Sequence, residues 1–278
     1  MPDISVRAND GHQFTAQLFD AAEATAPLFI VCPAMGVQGR YYKGFAEALN
    51  ASGYQAVTFD LRGQGSSSLR ASKKVNWGYQ DLVSLDWPAL LRAVRAQRPQ
   101  APVYFWGHSQ GGHISSLFLA ANPGAASGLI LIASGLVYFR GWPFPQNLKL
   151  LAQTQIIRAA ALGLGYFPGE KMGFGGLQAK NEMVDWSNNA LFGSFKLLNS
   201  STDYEAKLKQ VSIPVYAFSL EGDDFAPPGA VRGLARKMPV ARHIHLNTQD
   251  LPAPCLDHMR WARTPEPVIA RVLRELAL

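Results

Sequence analysis

One serine, Ser109, sits inside "GHSQGG" at 107–112, directly after the apolar run "PVYFW" and before the apolar-periodic stretch "GGHISSLFLAA". A serine hydroxyl is a weak nucleophile near neutral pH and becomes a strong one only beside a base. At a sharp strand-to-helix turn the hydroxyl is lifted clear of the sheet edge, and the next helix aims its N-terminus at any negative charge that develops. Such a turn strains the backbone, and the small residues Gly107, Gly111 and Gly112 let strand and helix approach without Cβ clashes. The flanking patterns therefore separate this stretch from a flexible surface turn, and suit it to attack on an acyl carbon.

The base must come from six histidines. His12 lies in an early hairpin and reads most simply as a surface residue. His108 sits inside the turn with its side chain directed away from the serine, and His113 lies one helical turn on, able to line a site floor. His243 and His245 alternate along one strand and face one side together, a spacing that suits metal, but no third ligand accompanies them. His258 lies in the loop before the last helix. An acid is needed to orient the base, and two adjacent candidates, Asp223 and Asp224, follow the run "IPVYAFSL". Cys32 and Cys255 lack a Cys-x-x-Cys spacing and read as buried thiols, not as a disulfide scaffold, zinc cluster or redox pair. There is no Walker-A pattern, and "GLG" at 163–165 has no preceding strand, so no phosphate loop, dinucleotide fingerprint or other cofactor is expected.

The elements that must hold these residues follow a clear order. "ISVRANDGHQFTAQLF" is two alternating runs joined by Asn-Asp-Gly, a hairpin signature. Strands are then expected at 27–32, 54–60, 102–106 and 128–133, with helices at 41–53, from about Pro88 to Arg98, and after the serine. From Tyr138 to Lys209 no strand pattern occurs, only Gly-Pro punctuation around the helical stretch "NLKLLAQTQIIRAAALG". Ten of the thirty aromatics fall between Tyr138 and Phe195, a composition suited to a lid over a cleft. The rhythm returns with strands at 213–220 and 241–246, a helix near 228–238 and a last helix "EPVIARVLREL". Alternating strands and helices imply an α/β fold, a mainly parallel sheet entered through an antiparallel hairpin.

At 278 residues the chain can build one large domain with an insertion. Its formal charge of +6 does not point to nucleic acid, because Lys and Arg are scattered; the nearest cluster, "VRGLARK", reads as a solvated helix face. No apolar run is long enough for a membrane span and the first residues lack a secretion-signal pattern, so a cytoplasmic protein is expected.

Together "CPAMGVQGRYYKGFAEAL", "TFDLRGQGSSS", "GHSQGG", "LGYFPGEKMGFG", "SLEGDDFAPPGAV" and "DHMRW" resemble the α/β-hydrolase superfamily. Within it they resemble a little-characterised bacterial branch of predicted hydrolases near the serine aminopeptidase group. The resemblance implies a core of 1–137 and 210–278 with a helical lid insertion at 138–209. It implies a triad of Ser109, Asp223 and His258: Asp223 stands four residues before Pro227, as the superfamily's acid commonly does, which leaves Asp224 as a neighbour. Gln110 and Met35 match the two backbone donors of an oxyanion hole, with Pro33-Ala34-Met35 replacing the more familiar His-Gly pair. "DLRGQGSSS" matches a structural turn at the sheet edge. The implied chemistry is hydrolysis of an ester, thioester or similar acyl bond of a small molecule through an acyl-enzyme on Ser109. An acyltransferase, a peptidase and a silent ligand-binding protein are the alternatives.

Overall fold

The apolar runs become the strands of one sheet. The computed structural model describes residues 3–278. In chain order its strands are β1 (Asp3–Arg7), β2 (Gln13–Phe19), β3 (Leu28–Cys32), β4 (Gln55–Phe59), β5 (Val103–His108), β6 (Gly128–Ile132), β7 (Tyr166–Pro168), β8 (Leu177–Ala179), β9 (Val215–Leu220) and β10 (Ala241–Leu246). The helices are α1 (Lys43–Ala51), α2 (Tyr79–Asp81), α3 (Trp87–Gln97), α4 (Gln110–Ala121), α5 (Gln146–Leu164), α6 (Gly169–Met172), α7 (Lys180–Phe192), α8 (Tyr204–Leu208), α9 (Pro228–Ala235) and α10 (Pro265–Leu276). Eight strands lie in the order β1-β2-β4-β3-β5-β6-β9-β10. Within this sheet antiparallel pairing is confined to β1 with β2 and β2 with β4; along the order from β4 to β10 every neighbour is parallel.

Both faces of the inner parallel strands are covered, so these strands read as largely apolar runs instead of alternating ones, whereas the edge strand β10 stays partly exposed. On one face Leu28, Ile30, Val103, Phe105, Leu129 and Leu131 meet α3, α4 and α9. On the other, Phe29, Val31, Trp106, Ile130 and Phe218 meet α1 and α10. The order is that of an α/β hydrolase, with the serine turn leaving the C-terminal end of the central strand β5. No helix among the described residues is long and apolar enough to cross a membrane.

Three features differ from the expectation. Residues 138–209 do contain strand: β7 and β8 form a short antiparallel ribbon, with Tyr166 opposite Ala179. Each has only three residues, too few for a period-two pattern to register. A π-helical turn, Leu82–Asp86, joins α2 to α3, so the helical stretch begins well before Pro88.

His12, moreover, is buried. Its Nδ1 lies 2.9 Å from Asp86 Oδ1 and its Nε2 2.8 Å from Ser67 Oγ. Arg62 donates to both Asp86 oxygens, at 3.0 and 2.6 Å, and to Asp10 Oδ2 at 2.6 Å. The "DLRGQGSSS" turn thus acts as a buried polar tie between the hairpin and the π-helical turn. Burying these charges is tolerable because each meets a counter-charge or hydrogen bond.

Candidate active site

Close backbone approach builds the serine turn. Ser109 has φ 53° and ψ −121°, a region costly for a residue with a Cβ. A Cβ on Gly107 would lie 2.5 Å from Gly112 Cα, and one on Gly111 would lie 2.2 Å from the Cys32 carbonyl oxygen. These glycines therefore let α4 pack onto β5 and the end of β3. The strain is held by two bonds to the Ser109 carbonyl, from Gly112 N–H at 3.0 Å and Ser134 Oγ at 2.7 Å.

Asp223 and His258 meet. Asp223 is buried in the loop after β9, and His258 lies half-buried in the loop before α10. His258 Nδ1 is 2.9 Å from both Asp223 carboxylate oxygens. Asp223 Oδ1 also accepts from Phe225 N–H at 2.8 Å and Ala226 N–H at 2.9 Å, which fixes the carboxylate. Asp224 is exposed; its backbone carbonyl, not its carboxylate, accepts from Trp142 Nε1 at 3.3 Å. The Phe225 ring lies 5.2 Å from that of His258. Among the described residues no hydrogen bond closes from Ser109 Oγ to His258. The two share a neighbourhood through His108, whose ring centre is 5.0 Å from that of His258.

His108 is fully buried. Tyr42 Oη lies 2.7 Å from its Nδ1 and accepts from Ala34 N–H at 3.0 Å. Burial, and then the neighbouring His258, hold His108 well below the ordinary histidine range, so its ring is neutral. This bridge occupies the Ala34 amide, whereas the Met35 and Gln110 amides have no acceptor among the described residues. Gln110 opens α4, where the first N–H groups have no intrahelical partner. Both amides are thus available to an anion. Tyr42 was not legible as a site residue, because it falls in the stretch expected as a helix at 41–53.

The remaining candidates are engaged elsewhere. His113 Nε2 is 2.7 Å from the Gly135 carbonyl and its Nδ1 3.4 Å from Tyr79 Oη, and burial pushes its pKa down to about 4. His243 and His245 do face one side, where both hydrogen-bond Ser219 Oγ, at 2.9 and 3.0 Å. No group of three His, Cys, Asp or Glu placed to hold a metal occurs among the described residues.

The segment between β6 and β9 touches this site. A Cβ on Gly36 would lie 2.3 Å from the Gly175 carbonyl oxygen, and one on Gly175 would lie 2.9 Å from Met35 Sδ, so the loop 173–176 leans on the loop that carries Met35. From α7, Glu182 Oε1 accepts from Gln110 Nε2 at 2.8 Å. Sequence reasoning missed Glu182, because "KNEMVDW" gives no sign that an acid faces inward. A hollow of about 620 Å³, lined by Lys73, Lys74, Tyr166 and Lys171 among others, opens beside β7 and β8 and touches none of the five expected site residues.

A family model described as "Serine aminopeptidase, S33" matches residues 23–248. A putative monoglyceride lipase of Schizosaccharomyces pombe is 31% identical over 103 residues, 37% of this chain and 27% of its own. The lysophosphatidylserine lipase ABHD12 of Gallus gallus is 36% identical over 70 residues, 25% of this chain and 16% of its own. The matches thus span about a quarter and about a sixth of those curated relatives. Among solved structures, a hydrolase from Pseudomonas aeruginosa PA01 superposes with TM-score 0.62 at 21% identity, covering 99% of this chain and 98% of that one. A putative lipase from Acinetobacter baumannii AYE gives TM-score 0.66 at 16% identity, covering 99% and 91%. At these identities the structures show the fold.

Proposed function

The chain belongs to the serine aminopeptidase S33 family of α/β hydrolases, and from that premise we propose that it cleaves carboxylic esters or related acyl bonds through an acyl-enzyme on Ser109. The observation that carries the reading is the Asp223–His258 pair at 2.9 Å, whose imidazole lies 5.0 Å from the ring of His108, the residue before the strained Ser109. Ser109 Oγ attacks the acyl carbon while His258 Nε2 takes its proton, and Asp223 holds the ring with Nδ1 protonated. The Met35 and Gln110 amides receive the oxyanion. His258 then protonates the leaving group, and water repeats the sequence to release the acid.

Residues 138–209 act in this reading as a lid. Their aromatic content, their contact with the Met35 loop and the exposed Phe225 beside His258 support a mostly apolar acyl pocket. The preferred acyl groups are then uncharged, apolar and short to medium in length. The lipase names of two partial relatives point the same way.

Each methylene buried adds roughly 0.8 kcal/mol of favourable transfer, about three- to fourfold in kcat/KM per carbon until the pocket fills. A graded series of p-nitrophenyl esters, run beside thioesters and amino-acid amides, tests this. Ester turnover that climbs with chain length and then breaks is the expected outcome. Turnover of amides above esters would move the reading to a peptidase, and a flat ester profile would remove the apolar pocket.

A further inference from the structure

Helix α7 turns a carboxyl toward the serine turn that none of the proposed chemistry uses. Glu182 is buried. Its Oε1 accepts from Gln110 Nε2 at 2.8 Å, its Oε2 accepts from Trp77 Nε1 at 2.8 Å, and its own N–H donates to the Trp77 carbonyl at 3.0 Å. None of the ion pairs among the described residues includes it. Gln110 Oε1, at the other end of the same amide, is buried without a hydrogen-bond partner. A buried acceptor left unpaired beside a buried carboxylate is a costly arrangement, since both groups have lost water.

A second arrangement is open to the same atoms. With one proton from solvent on Glu182 Oε1, a half-turn of the Gln110 amide lets that O–H donate to Gln110 Oε1. The buried charge disappears and Gln110 Oε1 gains a donor, while the amide NH₂ gives up its acceptors Glu182 Oε1 and Tyr79 Oη. Trp77 keeps its bond to Oε2 in both states. Burial pushes the Glu182 carboxyl up to about 7, helped by the nearby charges of Asp185 on α7 and Asp86 on the π-helical turn. Tyr79 on α2, whose Oη is 3.5 Å from Gln110 Nε2, faces the same amide, with His113 on α4 3.4 Å beyond it, and Asp86 is itself paired with Arg62. The two states thus exchange close to neutral pH.

Resting on the Ser109 reading above, we propose that Glu182 is a positioning residue for the reaction. It holds Gln110 in one of two hydrogen-bonded states that differ by a proton and a half-turn of the amide, and the protonated state favours catalysis. Gln110 supplies the amide beside the nucleophile, so an ionised Glu182 sets a negative charge one side chain away from the oxyanion. A like charge so close in a dry site slows the step by about tenfold.

The test follows fluorophosphonate labelling of Ser109, together with kcat and KM, across pH for wild type, Glu182→Gln and Trp77→Phe. In wild type the rate rises as the base is freed and then falls about tenfold through pH about 7. Glu182→Gln, which mimics the protonated carboxyl in shape and donor, keeps the plateau with unchanged KM. Trp77→Phe removes one of the carboxylate's two donors and moves the fall to higher pH. A Glu182→Gln enzyme that still shows the fall, or that is slowed equally at every pH, overturns the inference and leaves the serine reading intact. A wild type that fails to label at Ser109 at any pH refutes the serine reading instead.

Discussion

Replacing Asp223 by Asn tests the site at its most constrained atom. Asp223 Oδ1 accepts two backbone N–H groups, from Phe225 and Ala226 at 2.8 and 2.9 Å. An Asn NH₂ cannot accept either bond, so the Asn oxygen must keep that position and its nitrogen must replace Oδ2. That nitrogen then faces His258 Nδ1, 2.9 Å away, where two donors cannot meet, and the Nδ1 proton is left only with Oδ1, also 2.9 Å away but already taken by two backbone N–H groups. The imidazole responds by accepting at Nδ1 and carrying its proton on Nε2, where it can no longer take one from Ser109. Holding the wrong tautomer costs about 10⁴ in kcat in enzymes of this type. Stability falls by about 1 kcal/mol, because every backbone bond survives. Asp224→Asn removes only an exposed carboxylate and leaves kcat within about twofold. Steady-state kinetics on a p-nitrophenyl ester, paired with thermal unfolding, reads both variants. A loss below about tenfold for Asp223→Asn, or a larger loss for Asp224→Asn, refutes the assignment of the acid.

Ser109→Gly relieves the positive φ of 53° and is expected to stabilise the fold by about 1 kcal/mol relative to Ser109→Ala while abolishing turnover; equal denaturation midpoints for the two would show that the turn stores no strain. Glu182 and Asp185 also govern stability: burial raises their carboxyls from 4.5 and 3.8 to about 7 each. Between those ordinary values and 7 the native state keeps protons that the unfolded chain has released, so their contribution is full below the ordinary values and is lost as pH rises through 7. Glu182→Gln removes its own share, so its stability relative to wild type should climb by on the order of 3 kcal/mol from pH 4 to 8 in urea titrations. A pH-independent difference would mean that Glu182 is not protonated in the native state.

What the sequence made legible follows from what is local. β3, β4 and β6 are buried on both faces, so each shows as a short apolar run wherever it lies in the fold. Gly107 is legible because its close approach to Gly112 is written within six residues, whereas Gly111 and Gly112 answer to Cys32 and Ser134 on neighbouring segments. Asp223 and His258 were reachable through the resemblance, since adjacency alone did not separate Asp223 from Asp224. What stayed hidden depends on distant partners. His12 looked like a hairpin surface residue because Asp86, which buries it, lies 74 positions away. Glu182 looked like an ordinary helix acid because Gln110 and Trp77 are separated from it by 72 and 105 positions. The ribbon of β7 and β8 is shorter than any window in which period two can be told from chance.

The central claim is that Ser109 is the nucleophile. Incubation with a fluorophosphonate followed by intact-mass and peptide analysis measures it directly. The account predicts one adduct per chain, on Ser109, lost in Ser109→Ala and slowed strongly in His258→Ala. An unlabelled wild type, an adduct on another residue, or equal labelling of Ser109→Ala would contradict it.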